Sequence, residues 1–187
     1  SPIIIGITGT VGKTTTTTFV TDFIESLGQG WVYSSQYHYN GEYGLPLTIM
    51  RTASARKNPF LWFGLIITYI REYFCTNYPK YLILEYGIDH PGEMEFLLSI
   101  AKPDIAIVLN IGRNHAVAFP DFQEYIDAKM LLASHAKTAI LNIDSSQIQK
   151  FLKTTPLDNH TQIITYGVCN QEAEFHIQNI HSWIDNL

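Results

Sequence analysis

One short segment near the start of the chain combines glycines, a lysine and threonines in a spacing that suits phosphate binding. It reads TGTVGKT over residues 8–14, between an apolar stretch and a helical pattern. Glycines allow backbone N–H groups to face a phosphate chain, Lys13 can neutralise the outer phosphates, and the Thr14 hydroxyl can coordinate Mg²⁺. The strict pattern GxxxxGK(S/T) is not met, because its first glycine would fall on Ile7. The nucleotide-binding candidates in this segment are Gly9, Thr10, Val11, Gly12, Lys13, Thr14 and Thr15.

Polar residues at the ends of two later apolar patterns form a second group. Glu85 ends the pattern YLILE, Asn110 ends DIAIVLN, and His115 lies in the loop beyond. In open α/β sheets, ligands collect at the carboxyl ends of the strands. We therefore expect these three residues beside the glycine-containing segment, where a carboxylate and an imidazole can hold a metal ion. Considered alone, a single His in a loop such as His115 is most often an ordinary surface residue.

Alternating strand and helix patterns must position these residues. Strands are predicted at 2–8, 31–35, 81–86, 104–110, 138–143, 162–166 and 174–180. Helices are predicted at 13–27, 58–74, 91–101, 122–136 and 145–153, and a loop at 37–46. Such alternation is typical of an α/β fold with a mostly parallel sheet and helices on both faces. Together with the glycine segment, it predicts a P-loop NTPase-like architecture.

The composition further limits the classes of protein to which the chain can belong. The 187 residues are 46% hydrophobic and carry a net charge of −5, which fits one folded domain and does not favour a nucleic-acid binder. Two distant cysteines give no zinc spacing or disulfide framework, so we expect a cytoplasmic setting. The longest uncharged apolar run, Phe60 to Ile70, is too short to span a bilayer, which needs about 20 residues. The longer apolar segment between Phe60 and Phe74 is predicted to be a buried helix or a contact surface for a partner domain or a membrane.

Several collinear motifs resemble one known family. The order TGTVGKTTT, NGEYGLPLT, LEYGIDHPGEM, KPDIAIVLNIG-x-x-H and LNID is similar to the central ATP-binding domain of the Mur ligases. The resemblance covers most of residues 3–168, and the family's phosphate loop departs from GxxxxGK(S/T) in the same way. It is strongest to the member that joins D-alanyl-D-alanine to a UDP-N-acetylmuramoyl tripeptide. This chain departs from the family at YGID, where the family reads MGAN, and at NIGRNH, where it reads NIGPAH.

The resemblance implies roles for individual residues. It implies Mg²⁺ ligation by Thr14, Glu85, His115 and Lys129, the last as a carbamate formed by adding CO₂ to its amine. It also implies catalytic roles for Lys13, His115 and Lys129, and places Asn110, Asn142 and Asp144 near the nucleotide. On spacing alone, Lys129 would be a solvated helix lysine, and Asn142 and Asp144 a turn at a strand end.

The resemblance also implies a reaction and a domain arrangement. Mur ligases use ATP and Mg²⁺ to phosphorylate a carboxylate of a UDP-N-acetylmuramoyl peptide, and an amino acid or D-Ala-D-Ala then displaces phosphate. Residues 1–187 correspond to the central domain alone, without the N-terminal UDP-sugar domain or the C-terminal ligase domain. We therefore expect an isolated domain that binds nucleotide and does not catalyse ligation.

Three alternatives remain at this stage. The first is a P-loop kinase or nucleotide switch, which would need no CO₂. The second is a non-catalytic nucleotide-binding scaffold that contacts cell-wall partners through the segment between Phe60 and Phe74. The third is another amide ligase of the superfamily, although folylpolyglutamate synthases usually read GKGS where this chain reads GKTT. The zinc ribbon of the lipid-linked amidating relatives would need more cysteines than the two present.

Overall fold

A computed structural model describes residues 1–28, 30–34, 40–52, 63–64, 67, 78–114, 116–157 and 159–176. Its strands are β1 (Ile3–Thr8), β2 (Val32–Ser34), β3 (Tyr81–Glu85), β4 (Ile105–Val108), β5 (Thr138–Asn142), β6 (Gln162–Gly167) and β7 (Phe175–His176). Its helices are α1 (Lys13–Ser26), α2 (Gly44–Ile49), α3 (Glu93–Ile100), α4 (Phe122–Ser134) and α5 (Ser146–Thr154).

The strands form one sheet of seven in the order β2-β3-β1-β4-β5-β6-β7. Every pairing is parallel, with Ile5 of β1 opposite Ile83 of β3 on one side and Ile105 of β4 on the other. The strands β2 and β3 lie on one side of β1, and the strands β4 to β7 lie on the other side. The carboxyl end of β1 therefore lies at the switch point of the sheet, where open α/β folds bind ligands.

Alternating residues of the strands build a core on each face of the sheet. Ile5, Ile7 and Ile83 pack with Ile24 of α1 on one face. Neighbouring residues such as Leu84 point to the other face, whose larger core includes buried residues of α2 through α5. Each fully buried Leu or Ile contributes roughly 1.5–3 kcal/mol relative to exposure, so both layers hold the sheet firmly. The predicted α/β fold with helices on both faces is confirmed.

The predicted loop at 37–46 is wrong at its end. Residues 40–43 lie outside any helix or strand, and 37–39 lie outside the described residues, but Gly44 begins α2, with Leu45, Leu47 and Thr48 buried. Pro46 lies in the first turn of this helix, where no backbone N–H is needed. The gain from burying these side chains outweighs the weak helix propensity of the glycine and the proline.

Other boundaries differ by only a few residues. Pro91 was expected in the first helical turn, but α3 starts at Glu93, after Gly92 in a left-handed conformation with φ of 84°. Most of the predicted helix at 58–74 lies outside the described residues, as does the strand prediction beyond His176. Within that apolar segment, Phe63 and Ile67 are described and both are exposed.

Among the described residues, every helix is too short or too polar to cross a bilayer.

Candidate active site

The glycine-containing segment forms a tight loop between β1 and α1. Gly12 adopts a left-handed conformation with φ of 87°, which favours glycine, and its carbonyl accepts the hydrogen bond of Thr16 N–H in the first turn of α1. The N–H groups at the start of a helix have no partners within it and carry its positive dipole end. The loop thus presents backbone donors at the switch point of the sheet.

Asn110, just after β4, braces this loop. Its amide oxygen accepts hydrogen bonds from the N–H groups of Thr10 (3.2 Å) and Val11 (3.1 Å), and its amide nitrogen donates to the Val11 carbonyl (3.0 Å). The Gly112 N–H also donates to the Thr10 hydroxyl at 2.8 Å. Asn110 was predicted to bind nucleotide, and the structure places it beside the loop as its support.

Lys13, the first residue of α1, turns back over the loop. Its Nζ donates a 2.9 Å hydrogen bond to the Gly9 carbonyl. Burial lowers the pKa of Lys13, and the nearby carboxylates of Glu85 and Asp89 oppose this shift. The Lys13 amine is therefore held directly above the phosphate loop, with two carboxylates close to it.

Glu85 and Thr14 meet at one side of the loop. The Thr14 hydroxyl donates to Oε2 of Glu85 at 3.2 Å. Glu85 is only 1% exposed, and its other oxygen, Oε1, has no hydrogen-bond partner within the described parts of the chain. A buried carboxylate oxygen without a donor is costly, and a cation can satisfy it.

Lys129 reaches the same loop from α4. It is 1% exposed, and its Nζ lies 3.5 Å from the Gly9 carbonyl, which Lys13 also contacts. Burial, reinforced by the positive charge of Lys13, lowers the pKa of Lys129 to about 7, although Asp89 opposes this. Asp121 caps α4 by accepting the Glu124 N–H at 2.9 Å, which fixes the start of the helix that carries Lys129.

A cavity of about 170 Å³ lies between these groups. Its lining comes from the phosphate loop, the segment before α2, the residues that follow β3, and the helices α3 and α4. The lining residues are Gly9, Thr10, Lys13, Asn40, Gly41, Glu42, Gly87, Ile88, Asp89, Glu93, Leu97, Tyr125 and Lys129. Two lysines and several carboxylates thus face one polar space at the switch point.

Part of this lining was missed by the sequence reasoning. Asn40 is held in place because its carbonyl accepts the Gly87 N–H at 2.7 Å, and a Cβ on Gly87 would lie 2.9 Å from Asn40 Cγ. No spacing rule links residues so distant in sequence. Asp89 carried a usable signal, because it follows Glu85 closely at the same strand end.

Asn142 and Asp144 lie beside a second, more open cleft of about 480 Å³ next to Thr10 and Val11. The Asp144 carboxylate accepts N–H groups from Val168, Cys169 and Asn170 at 2.6–3.1 Å, which lowers its pKa. The Asn142 side chain accepts the Asp144 N–H at 3.0 Å. Both residues therefore order a turn at the rim of the cleft.

Two further predicted site residues are Thr15 and His115. Thr15 is exposed in the first turn of α1. His115 lies outside the described residues, so its predicted metal role remains a prediction. Within the described ranges, no three His, Cys, Asp or Glu side chains group as metal ligands.

A parallel sheet with a glycine-containing loop and a lysine at the switch point defines a phosphate-loop nucleotide-binding domain. Comparison with known proteins identifies the family. The model of the Mur ligase middle domain matches residues 7–185, so the chain belongs to that family. The resemblance inferred from the motifs is confirmed.

Individual relatives agree with this assignment. A UDP-N-acetylmuramoyl-tripeptide–D-alanyl-D-alanine ligase of Synechocystis is 27% identical over 168 residues, covering 88% of this chain and 31% of its own. The ligase of the same name from Mycobacterium tuberculosis H37Rv is 30% identical over 155 residues, covering 81% and 26%. The crystal structure of the Thermotoga maritima MurF ligase in complex with ADP aligns with a TM-score of 0.65 at 25% identity, covering 89% and 33%. The chain thus spans between a quarter and a third of these relatives.

Proposed function

We propose that this chain is the ATP-binding core of an ATP-dependent amide ligase of peptidoglycan precursor synthesis. The observation that carries the proposal is the convergence of Lys13 and Lys129 on the Gly9 carbonyl beside the phosphate loop. A simple phosphate-loop kinase requires the first lysine but has no need of the second, which is buried on a helix after β4. The relatives that share this domain are named as ligases, which supports the ligase hypothesis over the kinase alternative.

ATP is proposed to bind along the loop at Gly9–Thr15. The amides at the start of α1 would contact the phosphates, and Lys13 would neutralise the charge on the outer ones. Preorganised donors at this point stabilise the charge that develops on a transferring phosphoryl group. The cleft beside Asn142 and Asp144 would accommodate the remainder of the nucleotide.

The residues present fit a magnesium ion. Mg²⁺ prefers hard oxygen ligands. Oε1 of Glu85, which has no hydrogen-bond partner among the described residues, lies in the same side chain that contacts the Thr14 hydroxyl. Thr14 and Glu85 would hold the ion, and His115 remains a proposed third ligand. When bound, the ion would supply positive charge to the phosphates of ATP.

Lys129 is proposed to be carbamylated. A pKa of about 7 leaves a large fraction of its amine neutral near physiological pH. The neutral nitrogen can attack the carbon of CO₂, forming an N–C bond and releasing a proton, so that a cation becomes an anion. This anion would face the same cavity as Lys13 and could contribute a further metal ligand.

The proposed reaction has two steps. The γ-phosphoryl group of ATP passes to the terminal carboxylate of a UDP-N-acetylmuramoyl peptide, which gives an acyl phosphate and ADP. The amine of an amino acid, or of D-Ala-D-Ala, then attacks the acyl carbon, expels phosphate and loses a proton. We further propose that residues 1–187 act within a longer cytoplasmic ligase, because the matched relatives are about three times as long.

Phosphate release by the full-length ligase tests this function. We expect ADP and phosphate to appear only when both UDP-N-acetylmuramoyl tripeptide and D-Ala-D-Ala are present. Lys129→Ala should abolish most turnover, and acetate or formate should restore part of it by supplying an anion in place of the carbamate. Phosphorylation of a hydroxyl substrate, with full activity in Lys129→Ala, would favour the kinase alternative instead.

A further inference from the structure

Tyr125 lies at the centre of the site, although no sequence motif pointed to it. It is fully buried one helical turn before Lys129, so both side chains lie on the same face of α4. The Lys129 Nζ lies 4.8 Å from the centroid of the Tyr125 ring. At this distance an aromatic face attracts an ammonium group and restricts where it can point.

The hydroxyl of Tyr125 connects to two other parts of the site. It donates a 3.2 Å hydrogen bond to the Asn114 carbonyl in the loop after β4. The Thr10 side chain of the phosphate loop lies close to this hydroxyl and opposes the rise in its pKa caused by burial. One side chain thus contacts the loop after β4 and the Lys129 amine, and lies beside the phosphate loop.

The ring is itself held by neighbouring aromatic residues. Phe119 packs edge-on against it with centroids 5.0 Å apart, and Phe122 stacks at 6.1 Å. Because these contacts come from the loop after β4 and the start of α4, the ring cannot shift without disturbing both.

We propose that Tyr125 is a positioning residue that holds the Lys129 amine against the phosphate loop and links it to the loop after β4. Its importance for catalysis rests on the proposed role of Lys129. The ring and the hydroxyl act separately: the ring fixes the amine, and the hydroxyl ties the loop at Asn114 to the same helix.

Two substitutions separate these contributions. Tyr125→Leu removes the ring, and Tyr125→Phe keeps it but removes the hydroxyl. Tyr81→Leu is the matched control, because Lys80 lies over the Tyr81 ring at 5.3 Å at the opposite edge of the sheet. All variants are compared at temperatures well below their unfolding transitions, so that loss of fold is not scored as loss of positioning.

The first readout is the reaction rate of the Lys129 amine with trace acetic anhydride, measured by peptide mass spectrometry with exposed Lys102 as reference. Tyr125→Leu should raise this rate about fivefold, while Tyr125→Phe and Tyr81→Leu should stay within about twofold of the parent chain. A rate in Tyr125→Leu within about twofold of the parent would overturn the positioning role.

The second readout is amide hydrogen exchange in the loop after β4. Ala116 and Phe119 N–H groups make turn hydrogen bonds there, to the carbonyls of Arg113 and Ala116. Tyr125→Phe should speed their exchange about fivefold, because the hydroxyl no longer restrains the loop. Unchanged exchange in this variant would contradict the link to Asn114.

A third measurement distinguishes this inference from the proposed function. The parent chain in ¹³C-bicarbonate should show a carbamate carbon signal that Lys129→Ala lacks and Tyr125→Leu weakens several-fold. If the parent shows no carbamate signal, the proposed modification of Lys129 fails. The positioning role would still be decided by the amine reactivity and exchange measurements.

Discussion

The hydroxyl of Thr14 donates a 3.2 Å hydrogen bond to a carboxylate oxygen of Glu85, although 71 positions of sequence separate the two residues. Thr14 is the second residue of α1, the helix after β1, and Glu85 is the last residue of the neighbouring strand β3. Parallel pairing of these strands brings the two side chains to the same edge of the sheet. The second oxygen of Glu85 remains available there for a cation.

Neutralising Glu85 should therefore remove the metal dependence of nucleotide binding. We expect Mg²⁺ to strengthen ATP binding to the parent chain by about tenfold, and to have little effect on Glu85→Gln, which keeps the shape but not the charge. Calorimetric titration of ATP with Mg²⁺ and with EDTA measures this difference.

The control for this prediction is Glu95→Gln, which removes the same charge from an exposed position on α3. It should bind ATP with the metal dependence of the parent. A Glu85→Gln variant that retains the full Mg²⁺ effect would exclude Glu85 as a metal ligand.

The buried amine of Lys129 should lower the free energy of unfolding of the chain. Burial lowers its pKa to about 7 in the folded chain, below the value of about 10.4 expected when unfolded. The unfolded state therefore binds the proton more readily, so stability falls as pH decreases from about 10 toward 7. Replacing the amine with an apolar side chain of similar length removes this penalty.

Lys129→Met should accordingly raise the free energy of unfolding by about 1–4 kcal/mol near pH 7, with a smaller gain near pH 10. Urea unfolding in CO₂-free buffer at the two pH values measures the gain. Lys102→Met, at an exposed position, should change stability little at either pH. A Lys129→Met variant less stable than the parent near pH 7 would refute this account of Lys129.

Much of the site could be predicted from sequence because its signals are local. The loop glycines, Lys13 and Thr14 are consecutive, and their chemistry follows from residue type and from the strand and helix on either side. Glu85 and Asn110 could be placed because the carboxyl ends of parallel strands share one edge of the sheet.

The rest depends on contacts that spacing does not encode. On spacing alone, Lys129 would be a solvated lysine, and only its packing beneath Tyr125 and beside Gly9 shows that it is buried. The helix α2 was missed because glycine and proline favour a loop, whereas burial of Leu45 and Leu47 favours the helix. The segment at Asn40 is held at the cavity by a backbone hydrogen bond from Gly87, and the pattern of side chains along the sequence does not indicate such a bond.

Asp104, which lies away from the site, makes the stability of the fold depend on pH in a second way. Its carboxylate accepts the Ile4 N–H at 3.0 Å and contacts Lys137 Nζ at 2.8 Å, and these interactions lower its pKa. A depressed carboxyl pKa stabilises the fold above the unfolded value of about 3.9, and this contribution is lost as pH falls through the folded value.

Asp104→Asn should therefore lower the free energy of unfolding by about 0.5–1.5 kcal/mol near pH 7. The difference from the parent should shrink as pH falls below the unfolded value of about 3.9 toward the depressed pKa of folded Asp104. Urea titrations across this range measure it. A difference that does not change with pH would show that the carboxylate charge contributes nothing.

Binding of MgATP to this chain, mapped by NMR and quantified by calorimetry for the parent and Lys13→Ala, decides whether the phosphate loop is the nucleotide site. We expect shifts to concentrate at residues 9–15, Lys13→Ala to lose at least about tenfold in affinity, and Lys102→Ala to bind like the parent. Equal affinity in Lys13→Ala, or shifts confined to another part of the chain, would contradict this assignment.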